Sequence, residues 1–256
     1  MLAEERRARI LDILAEKGSV SVSQLYHRLK VSRETIRRDI TRLDQENKLR
    51  KTHGGALALD REEPAFAERM SVNIEGKRTI GRLAAGLVPD GASLLVDAGT
   101  STLCLAECLM AHRRLTVLTN DLQIATRLAG RNDNRVLLLG GELNAAEGLT
   151  LGRDTTNMLA HYFADFAFVG AGALSAHPWL TDYSREAVEI RHQMIIQART
   201  PVLLADSTKF GRTAPVLVDG LDKIRYLVAD VMPPADLAGA LRDLGMEIVT
   251  PQNEGG

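Results

Sequence analysis

Val31-Ser32-Arg33-Glu34-Thr35-Ile36-Arg37-Arg38-Asp39-Ile40 is the stretch on which the reading of this chain turns. Ser32 is a good helix N-cap, and Ile36, Ile40 and Leu43 follow at i, i+4 and i+7, which predicts a helix over Arg33–Glu46 with one apolar stripe. Upstream, Ser21 and Gln24 form a capping box opening a shorter helix, Ser23–Lys30, with Leu25 and Leu29 on its inner face. Farther back, Ile10, Leu11 and Leu14 mark a helix from Glu4 to Glu16, stopped at Gly18. Two helices and a tight connection into a third predict a helix-turn-helix, whose last helix enters a DNA major groove N-terminus first.

The residues leading that helix suit contact with DNA. Ser32, Arg33, Glu34, Thr35, Arg37 and Arg38 stand there; Arg reads guanine bidentately, Thr meets a thymine methyl or a phosphate, and helix N-terminal amides favour a phosphate oxygen. Behind them, Leu49-Arg50-Lys51-Thr52-His53-Gly54-Gly55-Ala56 reads as strand, glycine turn and strand, a wing whose Arg50, Lys51 and His53 lie along the DNA backbone. From Arg28 to His53 nine Lys and Arg face four acids, a charge footprint fit for nucleic acid. A three-helix packing module with a solvated charged face, or one that binds protein instead of DNA, shows the same charge pattern.

The whole chain hides that asymmetry. It has 256 residues, 32 Lys and Arg against 33 Asp and Glu, and is 45% hydrophobic, the composition of a globular protein long enough for one large domain or two unequal ones. Residues 1–60 hold 13 basic and 9 acidic residues, the remainder 19 and 24. MLAEERRARI lacks the apolar run of a secretory signal, no segment approaches the ~20 apolar residues of a membrane span, and two cysteines make no disulfide framework. A cytoplasmic protein without membrane contact is expected. Cys104 and Cys108 share a helical face and have the spacing of a metal pair, but without a nearby His they read as small core residues. His27, His112, His161, His177 and His192 show no ligand spacing, so no metal and no cofactor are expected.

From Glu75 onward, apolar helices alternate with short β-branched or Leu-rich runs. The pattern predicts helices Gly76–Leu87, Ser101–Met110, Leu122–Ala129, Thr155–Tyr162, Ser184–Ala198 and Ala235–Leu244. Between and after them it predicts strands Ser93–Val96, Leu115–Thr119, Val136–Leu139, Phe166–Val169, Pro201–Ala205, Pro215–Val218, Arg225–Ala229 and Met246–Val249. Such alternation means a mostly parallel α/β sheet with helices on both faces, and ligands gather at the carboxyl ends of its strands. The domains expected are residues 1–57 (winged helix-turn-helix), 58–74 (linker, with a short helix Ala65–Met70 after Pro64) and 75–252 (α/β effector domain).

Five predicted strand ends are polar or glycine-rich: Asp97-Ala98-Gly99-Thr100-Ser101-Thr102, Thr119-Asn120-Asp121, Gly140-Gly141-Glu142, Gly170-Ala171-Gly172 and Asp206-Ser207-Thr208-Lys209. The first, running into a helix N-terminus, is a phosphate cradle in physical terms. Each alone is also what an ordinary strand-to-helix turn needs; together they point to a small anionic ligand, with Lys209 and Lys77 as partners for phosphate or hydroxyl. The loop with Trp179, Thr181, Asp182 and Tyr183, ahead of the helix carrying Glu186 and Arg191, is expected to help shape the pocket.

At these residues the chain resembles the DeoR family of bacterial transcriptional regulators. The stretch Val31–Ile40 is similar to that family's helix-turn-helix signature, and Arg50–Ala56 to its wing. Asp97–Thr102, Leu118-Thr119-Asn120, Leu139-Gly140-Gly141-Glu142 and Ala205–Gly211 are similar to its effector domain, a relative in fold of ribose-5-phosphate isomerase. The resemblance implies a repressor of a carbohydrate catabolism operon, a homodimer or homotetramer on double-stranded operator DNA, relieved by a phosphorylated sugar. It places Gly99, Thr100, Ser101 and Thr102 at the phosphate, Lys209 at the isomerase's strand-end lysine and Glu186 near its catalytic glutamate; Asp97, Asn120, Gly141, Gly170, Gly172, Arg191, Asp206 and Lys77 complete the expected effector site. Two departures stand out. Arg191 occupies a position that is usually Lys in the family. The isomerase's paired acids correspond to Asp165-Phe166-Ala167-Phe168, which keeps one carboxylate where ene-diol chemistry wants two. No catalytic residue is therefore expected, and the rival reading is a sugar-phosphate isomerase or deaminase with an appended DNA-binding domain.

Overall fold

The computed structural model describes residues 2–17, 19–46, 48–52, 54–58, 63–176 and 179–253. Its N-terminal part comprises α1 (Ala3–Lys17), β1 (Ser19–Ser21), α2 (Val22–Leu29), α3 (Arg33–Gln45), β2 (Leu49–Lys51) and β3 (Gly55–Ala58). The apolar positions that set the helical periodicity, Ile10, Leu14, Leu25, Ile36, Ile40 and Leu43, close on one another and on Leu49 and Ala56 in one core. The Ser21 hydroxyl accepts from the Gln24 N–H at 3.1 Å while Gln24 Oε1 accepts from the Ser21 N–H at 2.8 Å, the reciprocal cap that starts α2. Lys30, expected inside that helix, is its left-handed C-cap (φ 53°), donating its N–H to the Tyr26 carbonyl at 3.0 Å as the chain turns toward α3.

The wing has one strand more than expected. Its antiparallel order is β1-β3-β2, and Gly55, expected in the turn, opens β3 opposite Ser21. A Cβ at Gly55 would lie 2.0 Å from the Val20 carbonyl oxygen, so only glycine allows the two strands to approach this closely. Gly18 and His53 lie outside the described residues.

The remainder begins with α4 (Phe66–Ser71), α5 (Ile74–Ala85), β4 (Ser93–Val96), α6 (Thr100–Leu109), β5 (Thr116–Thr119), α7 (Leu122–Leu128) and β6 (Arg135–Leu138). It continues through β7 (Glu142–Asn144), β8 (Leu149–Leu151), α8 (Arg153–Leu159), β9 (Ala164–Gly170), β10 (Ala173–Ser175), β11 (Trp179–Asp182) and α9 (Arg185–Ile196). It ends with β12 (Ala198–Leu204), β13 (Val216–Leu217), β14 (Tyr226–Val228), α10 (Ala235–Asp243) and β15 (Glu247–Val249). Seven strands form one sheet in the order β15-β14-β12-β9-β4-β5-β6, and every pairing in it is parallel.

Because strand side chains alternate, each central strand feeds two cores. Leu95, Ala167, Val169 and Leu203 point to a core roofed by α8, α9 and α10 through Leu159, Met194, Leu237 and Leu241. Leu94, Val96, Phe168, Val202 and Leu204 point to the other, roofed by α5, α6 and α7 through Ile80, Leu103, Leu109 and Ile124. Covering both faces is what a parallel sheet requires. Cys104 lies buried under α5, and burial raises its thiol pKa to about 11. Phe66 and Met70 pack at the edge of the second core, so the short helix expected in the linker lies on the α/β body.

Two features depart from the expectation. The strand near Pro215 joins a separate antiparallel sheet, β10-β11-β13, and residues 142–151 make a β7-β8 hairpin. Both stand beside the carboxyl ends of the parallel strands.

Candidate functional site

The carboxyl ends of β4, β5 and β9, the hairpin, the start of α9 and the segment ahead of α5 enclose a cavity of about 280 Å³. One end is the N-terminus of α6. Its N-cap is Gly99, which has no side chain to satisfy the first-turn amides, and Thr100, Ser101 and Thr102 line the space beyond it. Unsatisfied helix N–H groups carry the positive end of the helix dipole, so this wall favours an anion. Asn120 fixes the loop beside it: its Oδ1 accepts from the Ala98 N–H at 3.2 Å and its Nδ2 donates to the Thr150 carbonyl at 3.1 Å.

The back wall is a buried ion triad. Arg191 Nε donates to Asp97 Oδ2 at 2.9 Å, and its Nη1 donates to Asp182 Oδ2. Asp97 Oδ2 also accepts the Gly170 N–H at 3.1 Å, and Asp182 Oδ1 accepts from Tyr183 N–H at 2.7 Å. Burial alone opposes every charge in this group; the two carboxylates outweigh it and hold the Arg191 pKa above its usual value. Likewise Asp182, penalised first by burial, is held below the ordinary carboxylate range by Arg191 and two backbone N–H groups.

Asp121 is different. Its Oδ1 accepts the Gln123 and Ile124 N–H groups as the cap of α7, but its Oδ2 has no hydrogen-bond partner among the described residues, and burial raises its pKa. Lys209 lines the opposite side, its pKa lowered chiefly by burial, against the pull of Asp206 and Glu63.

Of the fourteen residues the sequence placed at an effector, nine line the cavity: Asp97, Gly99, Thr100, Ser101, Thr102, Asn120, Gly170, Arg191 and Lys209. Five do not. Lys77 is buried and spends its ammonium on the Arg69 carbonyl at 2.9 Å and the Val72 carbonyl, the C-terminal end of α4, with Asp206 Oδ2 3.7 Å away. Asp206 is fully buried and caps the turn that carries Lys209, its Oδ1 accepting the Thr208 N–H at 3.0 Å. Gly141 packs against the Thr155 hydroxyl and the Leu151 carbonyl, and Gly172 against the backbone of Thr181 and Asp182. Glu186 is exposed: Ala187 and Arg191, one helical turn apart, face the cavity, which turns Glu186 away from it. Asp165 stands at the amino end of β9, bonded to the Ser93 N–H and hydroxyl at 2.9 and 2.7 Å, remote from these strand ends.

On the winged helix, Arg33, Glu34, Arg37 and Arg38 are exposed on α3, with Ser32 accepting the Thr35 N–H at 3.1 Å beneath them. The Arg33 guanidinium lies 5.4 Å from the Tyr26 ring centre, and Arg37 approaches Glu34 only at 4.0 Å. Exposed Lys51 reaches from β2 to the Thr41 hydroxyl at 2.9 Å, setting the wing against α3. Arg50 lies in β2. Asp39, in the middle of the same signature, points inward instead, buried and paired with Arg6 of α1, which raises the arginine's pKa.

The sequence profile of the DeoR-like helix-turn-helix domain matches residues 6–62, and that of the DeoR C terminal sensor domain matches residues 72–231. The chain belongs to the DeoR family. It is a transcriptional regulator with an N-terminal helix-turn-helix and a C-terminal sensor domain built on a parallel α/β sheet. This DeoR-family chain is 33% identical to the HTH-type transcriptional repressor GlcR of Bacillus subtilis (strain 168), over 100% of itself and 99% of that relative. It is 30% identical to the glycerol-3-phosphate regulon repressor of Escherichia coli (strain K12), covering 95% and 97% of the two chains. Among solved structures, ribose 5-phosphate isomerase A from Methanocaldococcus jannaschii overlaps 54% of this chain and 55% of its own at 17% identity, with a TM-score of 0.40. No helix among the described residues is long and apolar enough to cross a membrane.

The cavity also has walls that strand-end reasoning does not reach. Glu63, Phe66 and Arg69 come from the segment expected as linker, and Asn144, Glu147, Leu149 and Leu151 from the hairpin. A hairpin signal exists in the sequence: Asn144 Oδ1 accepts the Ala146 and Glu147 N–H groups at 3.1 and 3.2 Å, and Gly148 takes a left-handed conformation (φ 69°).

Proposed function

We propose that this regulator is a cytoplasmic repressor of a carbohydrate operon, binding operator DNA as a homodimer or homotetramer and releasing it when a phosphorylated sugar fills the sensor cavity. The observation that carries the reading is the uncapped N-terminus of α6 opening into a partly enclosed cavity, lined by charged and hydroxyl residues among apolar ones, at the carboxyl ends of parallel strands. The first-turn amides and the hydroxyls of Thr100 and Ser101 suit a phosphate, while the Thr102 hydroxyl is spent on the Gly99 carbonyl at 2.9 Å; Lys209 suits the charge. The open Oδ2 of Asp121 suits a ligand hydroxyl, which donates where a second anion would be repelled. Glycerol 3-phosphate, for which the Escherichia coli relative's regulon is named, is a small phosphorylated polyol of this chemical kind. Arg33, Arg37 and Arg38 with the wing's Arg50, Lys51 and His53 are assigned to DNA, and pairing of heads multiplies the affinity of a motif that alone reads few bases.

The reading assigns no catalytic step, no metal and no cofactor. Two of the cavity's carboxylates, Asp97 and Asp182, are committed to Arg191 rather than poised to move a proton.

The deciding experiment is titration of the purified protein onto DNA from its own upstream intergenic region, with and without a panel of sugar phosphates and the matching free sugars. Specific, salt-sensitive binding released by a phosphorylated compound and not by its free sugar is expected. A Thr100→Ala/Lys209→Ala double variant should bind the same DNA and fail to let go. Aldose-ketose turnover by the purified protein would instead favour the enzyme reading, and binding without sequence preference or salt slope a protein-binding head.

A further inference from the structure

A cavity built for an anion is, as it stands, acidic: five carboxylates line it against three cations, Arg69, Arg191 and Lys209. Arg191 is locked between two buried aspartates in the back wall. Arg69 is also held by two carboxylates, but by less enclosed ones. Its Nη1 lies 3.0 Å from Glu63 Oε1 and its Nη2 is paired with Glu147, while Nε donates to the Pro64 carbonyl at 2.9 Å and the guanidinium lies over the Phe66 ring at 5.6 Å. The arginine side chain is 13% exposed, whereas Glu63 is 31% and Glu147 25% exposed. An incoming phosphate cannot gain a guanidinium already shared by two carboxylates unless one of them leaves, because a third negative charge in the same space is repelled.

We infer that Arg69 is an anion-binding residue of the sensor, that Glu63 is the internal anion the ligand displaces from it, and that this exchange is the step that loosens the DNA-binding head. The inference rests on the sugar-phosphate reading of the cavity and names how that site is regulated. Glu63 is the carboxylate that leaves because of where the chain puts it. Glu147 sits in a hairpin turn fixed by Asn144, whereas Glu63 sits on the segment leading back to the wing, five residues beyond Ala58, the end of β3. A chain that short spans at most about 18 Å, which tethers Glu63 to the wing within that reach. The other end of the segment is anchored: Lys77 holds the Arg69 and Val72 carbonyls, and Asn73 Nδ2 donates to Asp230 Oδ2 at 2.8 Å. With that end held, the inferred exchange acts on the connection toward the head. Burial also raises the Glu63 pKa, the pull of Arg69 notwithstanding, so its carboxylate is an uneasy occupant of the cavity.

The test uses the full-length wild-type protein and two isosteric variants, Glu63→Gln and Glu147→Gln, each titrated by calorimetry with inorganic phosphate and with a panel of three- to six-carbon sugar phosphates, and separately with operator DNA in the absence of any ligand. Both variants should bind the anions about two- to fivefold more tightly than wild type, the range expected for losing a partly exposed ion pair. Only Glu63→Gln should also bind operator more weakly without ligand. Arg69→Gln should lose anion affinity about tenfold or more, as for a lost charge-assisted contact. Anion binding in Glu63→Gln equal to wild type, or equal operator affinities for the two glutamine variants, overturns the exchange while leaving the sugar-phosphate site standing. Failure of wild type and variants alike to bind phosphate or any sugar phosphate overturns both.

Discussion

On the winged helix, Arg33, Arg37, Arg38 and Lys51 stand in solvent with at most one loose or neutral side-chain partner each among the described residues, whereas in the sensor cavity Arg69 and Arg191 are each clamped between two carboxylates. The difference follows from what each region meets. DNA brings its charge to an open surface and displaces only mobile counterions, so the cations need no internal partner. A partly enclosed cavity neutralises its own buried cations while empty, and a ligand entering it competes with residues of the protein itself. One region is a fixed electrostatic surface; the other is already in equilibrium with an internal competitor.

The harshest way to break this comparison is to unpair the back wall. Arg191→Ala leaves Asp97 and Asp182 buried without their counter-ion, and a loss of about 3–5 kcal/mol in sensor stability is expected by urea unfolding. A midpoint matching wild type would show that the triad is not what holds the wall. On the head, where no buried charge is left behind, Arg37→Ala or Arg38→Ala should cost about 1–3 kcal/mol of operator binding without loss of ligand affinity. Where the lost contact is to a phosphate, the salt slope should fall by about one. Parallel losses of operator and ligand binding would mean these arginines support the fold.

Acid distinguishes carboxylates within the sensor. Asp182 is held below the usual range, so its contribution is present above its unfolded pKa of about 3.9 and disappears as pH falls through the lower folded value. Thermal unfolding followed from pH 7 downward should show this loss only below about pH 4, and Asp182→Asn should abolish that part of it. Asp121 has the opposite sign, since its raised pKa means that ionisation costs stability at neutral pH and protonation relieves the cost. The smallest effect is therefore expected for Asp121→Asn, which keeps an N-cap oxygen and removes a buried charge. It should stabilise by about 1 kcal/mol or less at pH 7 and lose that advantage toward pH 4. Destabilisation at pH 7 would show that the open oxygen has a partner after all.

The winged helix was legible because its determinants are local: a capping box four residues long, an apolar stripe within one helix, a turn between adjacent segments. The parallel sheet was legible for the same reason, each strand and its polar end being contiguous. The cavity was legible only where it is made of such ends. Its ion pairs join Asp97 to Arg191 across 94 positions and Arg69 to Glu147 across 78, and no spacing rule connects residues so far apart. Lys77 misled because a lysine near a phosphate cradle has an obvious use, while the carbonyls ending a six-residue helix eight positions upstream are visible only once that helix is folded back. Asp39 stands next to the exposed Arg37 and Arg38, yet it is the inward anchor for Arg6.

Glu63, Phe66 and Arg69 lie ahead of residue 72, where the sensor domain profile begins, yet they form part of the cavity wall. The sensor and the head are thus not modules separable at that boundary. A graft that fuses a foreign head at residue 72 discards a wall of the pocket and the arginine on it, whereas a graft made ahead of Glu63 carries the complete pocket along. On the reading proposed above, the same overlap would let the response to a ligand be retuned by a handful of substitutions between head and sheet, with the sheet itself left untouched.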